Sequence, residues 1–360
     1  MRVTEQSLSV VLPNYNHASY LPRSLDALLS QDRTADEIIV IDDGSTDDSK
    51  DVIERYAAKF ASVRLLANER NVGVIATLLR GLNEARGHYI YFGAADDFVM
   101  PGFFAAAIKM LEANSRAGLF FGDAILVDGQ SKRMLGVRPP VRPQFCAGFI
   151  DPAKVARLLR RNDNFVVTGA AVFRRDALIS AGGFDEGLSS FADGYLVRKV
   201  ALTHGCCYMP SPVLTWCVFP NSVSRKTSSE SDRARQFLAK IEEQLAADPA
   251  FPSWYRETFL RRWRFATARL AVQEDPINRD LLMDMAMRTA IDRAVLNCIL
   301  RVFGQQSARM FALGWLWLRL RPFSLIGLGT TALARYWTTI WFKIRSRTVR
   351  IRLRPDSGSA

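Results

Sequence analysis

Between residues 7 and 127 short apolar, β-branched runs alternate with longer amphipathic stretches. Ser7–Leu12, Glu37–Ile41, Val63–Ala67, Tyr89–Gly93 and Leu119–Val127 read as strands, and Leu21–Ser30, Asp47–Phe60, Val74–Ala85 and Pro101–Asn114 read as helices. Strand and helix in alternation predict an α/β fold, a mainly parallel sheet flanked by helices on both faces. Sheets of this kind bind ligands in the loops beyond the carboxyl ends of their strands. Two acidic pairs fall there: Asp42–Asp43 end the second predicted strand and Asp96–Asp97 follow the fourth.

After Gln130 the pattern loosens through the Pro- and Arg-containing Arg138–Pro143. A helical stretch follows near Asp151–Arg160, then a strand over Phe165–Phe173, a helix over Asp193–His204 and a short strand over Cys206–Met209. The Ser/Pro/Asn cluster Pro220–Ser229 is the best linker. Beyond it Glu230–Ala247, Trp254–Val272 and Pro276–Phe303 predict a C-terminal helical region.

Composition narrows the class. The chain has 360 residues, 49% hydrophobic and 23% charged, with 22 Gly and 15 Pro, which excludes disordered, collagen-like and disulfide-framework chains. Its five cysteines form no CxxC pair and no zinc spacing, so they read as reduced, mostly core thiols. No secretory signal is visible near Met1, and the cytoplasm is the expected compartment. The net charge of +12 is uneven: residues 301–360 hold ten Arg and Lys343 against Asp356 alone.

The acidic pairs suggest chemistry. Mg²⁺ or Mn²⁺ takes hard oxygen ligands, often one or two carboxylates plus phosphate oxygens, and Asp96–Asp97 suits that task. Asp42–Asp43 precede Gly44-Ser45-Thr46-Asp47, a tight turn with capping residues, where a carboxylate could accept hydrogen bonds from a base or ribose. A strand-end Asp is also a common turn former. Pairs at two sheet ends together favour nucleotide binding.

Four motifs in order then carry a resemblance: Val10-Val11-Leu12-Pro13-Asn14-Tyr15-Asn16, Ile38-Ile39-Val40-Ile41-Asp42-Asp43-Gly44-Ser45-Thr46-Asp47, Asn71-Val72-Gly73, and Tyr89-Ile90-Tyr91-Phe92-Gly93-Ala94-Ala95-Asp96-Asp97. Over about residues 7–220 the chain resembles family 2 glycosyltransferases of the GT-A fold. The resemblance implies an inverting hexosyltransferase that uses a nucleotide-sugar donor, a UDP-sugar first of all, with Mg²⁺ or Mn²⁺. It implies a base pocket lined by Pro13 and Tyr15, base recognition by Asp43 with Asp42 beside it, a ribose contact at Asp96 and the metal on Asp97. It divides the chain into a glycosyltransferase domain over 1–225 (nucleotide-binding half about 1–127, acceptor half about 128–225), a helical region over 226–304 and a basic tail over 305–360.

Two departures stand out. Ala94 replaces an Asp that the family often has, and Thr77-Leu78-Leu79 stand where it commonly shows Ala-Arg-Asn. Arg80 nearby reads as a solvated helix residue.

Inversion needs a base on the acceptor hydroxyl. The resemblance implies an acid that opens a helix after a Gly-Gly-Phe-Asp-like turn; here Gly182-Gly183-Phe184-Asp185-Glu186 leads to Ala192-Asp193-Gly194-Tyr195 and then Arg198. Asp193 is the candidate catalytic base, with a helix N-cap as its plain reading, and Asp185 and Glu186 read as turn residues. His17, His88 and His204 have no i,i+4 partner, and neither a GxSxG nor a GxxxxGK[ST] pattern is present. Zinc, serine-hydrolase and P-loop chemistry are set aside.

Trp315, Trp317, Trp337 and Trp341 lie among Leu, Ile and Phe interrupted by Arg319, Arg321 and Arg335. The longest uncharged stretch, Pro322–Ala334, falls short of the roughly 20 residues needed to span a bilayer. Arg with Trp and Leu is the composition of helices lying on anionic membrane, which predicts a peripheral protein at the inner face of the cell membrane acting on a lipid-linked glycan or polysaccharide of the cell envelope. Helical core for the aromatic stripe and a solvated Arg345–Arg354 are the plainer readings. Two alternatives remain: a catalytically inactive glycosyltransferase-like binding protein, and a basic nucleic-acid-binding protein. Nucleic acid is not expected as a partner, because the motifs lie far from the basic tail.

Overall fold

Continuous apolar runs between turn residues form β1 (Leu8–Asn14), β2 (Glu37–Asp42), β3 (Val63–Ala67) and β4 (Tyr89–Phe92), parallel neighbours in the order β3-β2-β1-β4. The computed structural model describes residues 6–163, 165–219, 231–286 and 289–322, with isolated helical positions between 329 and 340. The sheet continues through β5 (Phe98–Val99), β6 (Leu119–Asp128), β7 (Met134–Arg138), β8 (Gly148–Ile150), β9 (Ala171–Arg174) and β10 (Cys206–Val218), completing the order β3-β2-β1-β4-β9-β6-β10-β5 with β7 on β6 and β8 on β10. β9 runs antiparallel to both β4 and β6, while β6 and β10 run parallel to each other. The carboxyl ends of β1, β2, β3, β4, β6 and β10 therefore share one edge of the sheet, and the start of β9 lies on that edge too.

Alternate strand residues face opposite ways. Leu8, Val10, Leu12, Ile38 and Val40 join one apolar core with α1 (Leu21–Leu29), α2 (Ser49–Lys59) and α4 (Phe103–Ala113). Val11, Ile39 and Ile41 join the other, with α3 (Val74–Glu84), α5 (Pro152–Arg161), α6 (Arg175–Ser180) and α7 (Ala192–His204). Helices thus cover both faces, as the sequence pattern predicts. The second core runs on into α8 (Ser231–Ala247), α9 (Tyr255–Gln273), α10 (Arg279–Ala286), α11 (Ala290–Val302) and α12 (Gln305–Leu320).

Several elements differ from the sequence pattern. The strand expected over Phe165–Phe173 is a 3₁₀ turn, Thr168–Ala170, followed by β9. The short strand at Cys206 runs on to Val218, because register shifts around Pro212 accommodate its prolines. The long helix expected over Pro276–Phe303 breaks into α10 and α11, where Thr289 caps α11 and exchanges hydrogen bonds with Asp292. The linker Pro220–Ser229 lies outside the described residues.

The segment expected as a separate tail from 305 begins as α12, whose Ala308, Ala312, Leu316 and Leu320 are buried in the second core. Helical packing therefore crosses the boundary drawn at 304, and of the tail beyond Pro322 only isolated positions are described. Among the described residues no helix is long and apolar enough to cross a membrane. Cys206, Cys207 and Cys217 are buried, whereas the free thiols of Cys146 and Cys298 are exposed.

Candidate active site

Register aligns Asn14 with Asp42 and Asp42 with Ala67 at the common edge. The buried Asp42 carboxylate accepts from Asn14 Nδ2 (2.9 Å), the Ser45 amide (3.0 Å) and the Ser45 hydroxyl (2.5 Å). It is thus spent on fastening the turn after β2. Gly44 makes that turn possible: its φ is +70°, and a Cβ there would lie 2.7 Å from the Arg70 carbonyl carbon. Asn16 Oδ1 accepts from the Thr46 amide at 2.8 Å and ties the exit of β1 to the exit of β2. Pro13 pairs in register with Ile41, and Tyr15 stands 43% exposed just beyond β1.

Asp43, also buried, is held differently. Its Oδ1 accepts from Asn68 Nδ2 (2.7 Å) and the Val72 amide (2.9 Å), and its Oδ2 from the Gly73 amide (2.9 Å). Arg80 donates to Asn68 Oδ1 and, at 2.9 Å, to the Ala67 carbonyl. Arg80 is therefore not a solvated residue but a clasp on the end of β3. Leu78, where the resemblance implies an Arg, is buried in the core.

Beyond β4, Asp97 Oδ1 accepts from the Cys217 amide of β10 at 2.8 Å. Burial pushes the Asp97 carboxyl well above the usual range, and the neighbouring Asp96 charge pushes it further. Burial also raises Asp96, with His17 pulling it back. His17 packs edge-on against Tyr20 (5.7 Å between centroids), Tyr20 packs against Phe219 (5.5 Å), and Lys132 Nζ lies 5.5 Å from the Tyr20 ring. The sequence sets His17 aside as a histidine without an i,i+4 partner and does not single out Lys132. The signal available was position, since His17 follows β1 by three residues.

Asp193 lies in the first turn of α7 instead of at its cap, which Phe191 occupies. Its carboxylate accepts from the Gly194 amide at 2.6 Å, and the Thr168 hydroxyl is near enough to influence its protonation. Thr168 opens the turn before β9, and because Tyr91 of β4 pairs with Val172, that turn sits beyond the carboxyl end of β4. The Tyr91 hydroxyl donates to the Gly169 carbonyl at 3.0 Å and fixes it there. Asp193 thus lies near the turn at the edge that also carries Asp43, Asp96 and Asp97. Burial raises its pKa, and the Gly194 amide, the Thr168 hydroxyl and the Arg198 charge hold it down in part. Asp185 accepts from the Gly187 amide at 2.8 Å and serves as a turn cap, with Glu186 in the 3₁₀ turn that follows.

Among the described residues no group of three or more His, Cys, Asp or Glu could hold a metal by itself. The donor set at Asp96–Asp97 is two adjacent, desolvated carboxylates, which suits a divalent cation completed by phosphate oxygens.

The mainly parallel sheet, flanked by helices and with carboxylates gathered at one edge, gives a GT-A-like fold. Residues 9–181 match the model described as "Glycosyl transferase family 2". An uncharacterized glycosyltransferase of Escherichia coli (strain K12), YibD, is 37% identical over 110 residues, which make up 31% of this chain and 32% of that protein. The chain spans about a third of the length of the curated relatives it first matches. The succinoglycan biosynthesis protein ExoO of Rhizobium meliloti (strain 1021) is 28% identical across 68% of this chain and 67% of its own. Among solved structures, S. aureus TarS 1–349 in complex with UDP-GlcNAc shares the fold at a TM-score of 0.61 and 17% identity, covering 88% of this chain and 90% of that one. The mannosyltransferase PcManGT of Pyrobaculum calidifontis in complex with GDP-Man and Mn²⁺ follows at 0.52 and 19%, covering 93% and 87%.

Proposed function

We propose that the chain is an inverting glycosyltransferase that moves a hexosyl group from a nucleotide sugar, first of all a UDP-sugar, to a hydroxyl of a lipid-linked glycan or surface polysaccharide. The carrying observation is that Asp43 after β2, Asp96 and Asp97 after β4, and Asp193 on α7 come to one sheet edge from three parts of the chain. Tyr15 and Pro13 flank the base, Asp43 reads its edge and Asp96 meets the ribose. Asp97 holds Mg²⁺ or Mn²⁺, which supplies positive charge against the departing diphosphate. Asp193 takes the proton of the acceptor hydroxyl as its oxygen bonds to the anomeric carbon; the bond from that carbon to the diphosphate oxygen breaks, and the nucleoside diphosphate leaves. The UDP-GlcNAc and GDP-Man complexes of the structural neighbours support the donor class, and the succinoglycan role of ExoO supports a polysaccharide product.

At the far end of the helical region a groove of about 310 Å³ between α11 and α12 is lined by Phe303, Met310, Phe311, Gly314, Trp315 and Leu318. Met310 is 70% exposed there, and ten Arg and one Lys lie within residues 301–360. Exposed apolar side chains on α12, in a stretch of sequence rich in Arg, support peripheral attachment to anionic membrane on its cytoplasmic side, where a lipid-linked acceptor would be met.

Ala94 and Leu78 favour one competing reading, a domain that binds nucleotide without turnover. A panel of UDP- and GDP-hexoses with and without Mn²⁺, read by melting temperature and by release of UDP or GDP, separates the two. Release with Mn²⁺ supports the transferase. Stabilisation without release supports the binding protein, and neither effect sinks both.

A further inference from the structure

The helix that begins with Asp193 is held from outside. Arg198 is buried on α7 and folds back over the first turn, donating to the Gly194 carbonyl at 2.6 Å. Its other terminal nitrogen donates to the Asp163 carbonyl, also at 2.6 Å. The Asp163 carboxylate in turn accepts from the Tyr255 hydroxyl (2.7 Å) and lies 3.7 Å from Arg262, both on α9 of the helical region. Arg262 reaches the carbonyls of Leu159 (2.7 Å), Arg160 (2.5 Å) and, past the end of α12, Pro322 (3.2 Å). A second latch grips the same helix, where the Tyr195 hydroxyl donates to Asp248 at 2.6 Å and Lys199 pairs with Asp248 at 2.8 Å.

Gly194 shows that the first turn is shaped around the guanidinium. A Cβ there would lie 2.9 Å from an Arg198 nitrogen and 2.8 Å from the Phe191 ring. Glycine is a poor residue inside a helix, so its place beside Asp193 is explained by the room that the Phe191 ring and the folded-back Arg198 together take.

We propose that Arg198, braced by Asp163 and by Tyr255 of the helical region, is a positioning residue that fixes the first turn of α7 and so aims the Asp193 carboxylate at the sheet edge. The proposal rests on the reading of Asp193 as the base. Arg198, Tyr255 and Arg262 all lie beyond the 9–181 family match, so the base would be aligned by a part of the chain the family model does not reach.

The test uses the full chain with Arg198→Met, Arg198→Lys, Tyr255→Phe, Gly194→Ala and Asp193→Asn. Three readouts apply: release of UDP or GDP from the hexose-nucleotide panel, the melting shift given by UDP with Mn²⁺, and hydrogen exchange of the amides of residues 192–198. Arg198→Met and Tyr255→Phe should lower kcat roughly 10- to 100-fold, the scale on which misplacing a catalytic group acts, with KM for the donor within about twofold. The UDP shift should persist and the 192–198 amides should exchange faster. Arg198→Lys should recover part of kcat, because one ammonium can still reach one of the two carbonyls, and Gly194→Ala should resemble Arg198→Met. Should Arg198→Met fail to fold, Tyr255→Phe, which keeps the ring, carries the test. Unchanged kcat and unchanged exchange in Tyr255→Phe overturn the clamp, as does a lysine variant no better than methionine. Full turnover in Asp193→Asn overturns the base reading, whereas loss there without loss in Arg198→Met and Tyr255→Phe overturns the clamp alone.

Discussion

Arg80 donates to the side-chain carbonyl of Asn68, and this contact turns the Asn68 amide toward Asp43, 2.7 Å away. A residue on α3 thereby sets the carboxylate proposed to read the base. Arg80→Ala should raise donor KM several-fold with kcat changed less, since hydrogen bonds to charged groups contribute about 1.5–3 kcal/mol. Titration of UDP in a calorimeter checks it, and an unaltered affinity counts against the contact.

Asp193→Asn should keep the melting shift given by UDP and Mn²⁺ while nucleotide release falls by roughly 10²–10⁴, the range of general-base catalysis. Steady-state kinetics on the full chain decide this.

The pH dependence has a definite sign. Burial raises the pKa of Asp193, and a base works as the carboxylate, so activity should be lost as pH falls through a midpoint above the ordinary value of about 3.9. A kcat profile between pH 4 and pH 9, spanning roughly the carboxylate-to-neutral range, locates that limb; Asp193→Asn should flatten it.

Asp97→Asn should abolish the extra stabilisation that Mn²⁺ adds to UDP binding, while the shift from UDP alone remains. The readout is melting temperature with and without chelator, independent of turnover.

Pairing Met310→Asp with Leu318→Asp should release the protein from vesicles containing anionic lipid with little change in melting temperature, because both side chains are exposed in the α11–α12 groove. Removing residues 323–360 should weaken binding through lost charge. A cut at 305 would instead remove Leu316 and Leu320 from the core and destabilise the helical region. Vesicle sedimentation at low and high salt checks all three.

The first four strands were legible because their runs are mostly apolar and are followed or ended by Asp, Asn or Gly; β10 was not, since Pro210 and Pro212 look like strand breakers until the register shift is seen. The break between α10 and α11 had a readable cue in Thr289 and Asp292, a cap three residues before its acid. At the sheet edge, Asp42–Asp43 and Asp96–Asp97 were legible from their positions after strands, whereas Asp193 came only through the resemblance. Asn68, Arg80 and the Asp163–Arg198–Tyr255 clamp were not, because each acts across 12 or more positions of chain or through helices the motifs do not include. Arg80 in particular looks like any surface arginine until the end of β3 is folded beneath it.

The crowding around Gly194 carries an evolutionary corollary. Since a methyl group there would collide with the Phe191 ring and the Arg198 guanidinium, lineages that gain a side chain at 194 should change residue 191 or residue 198 with it.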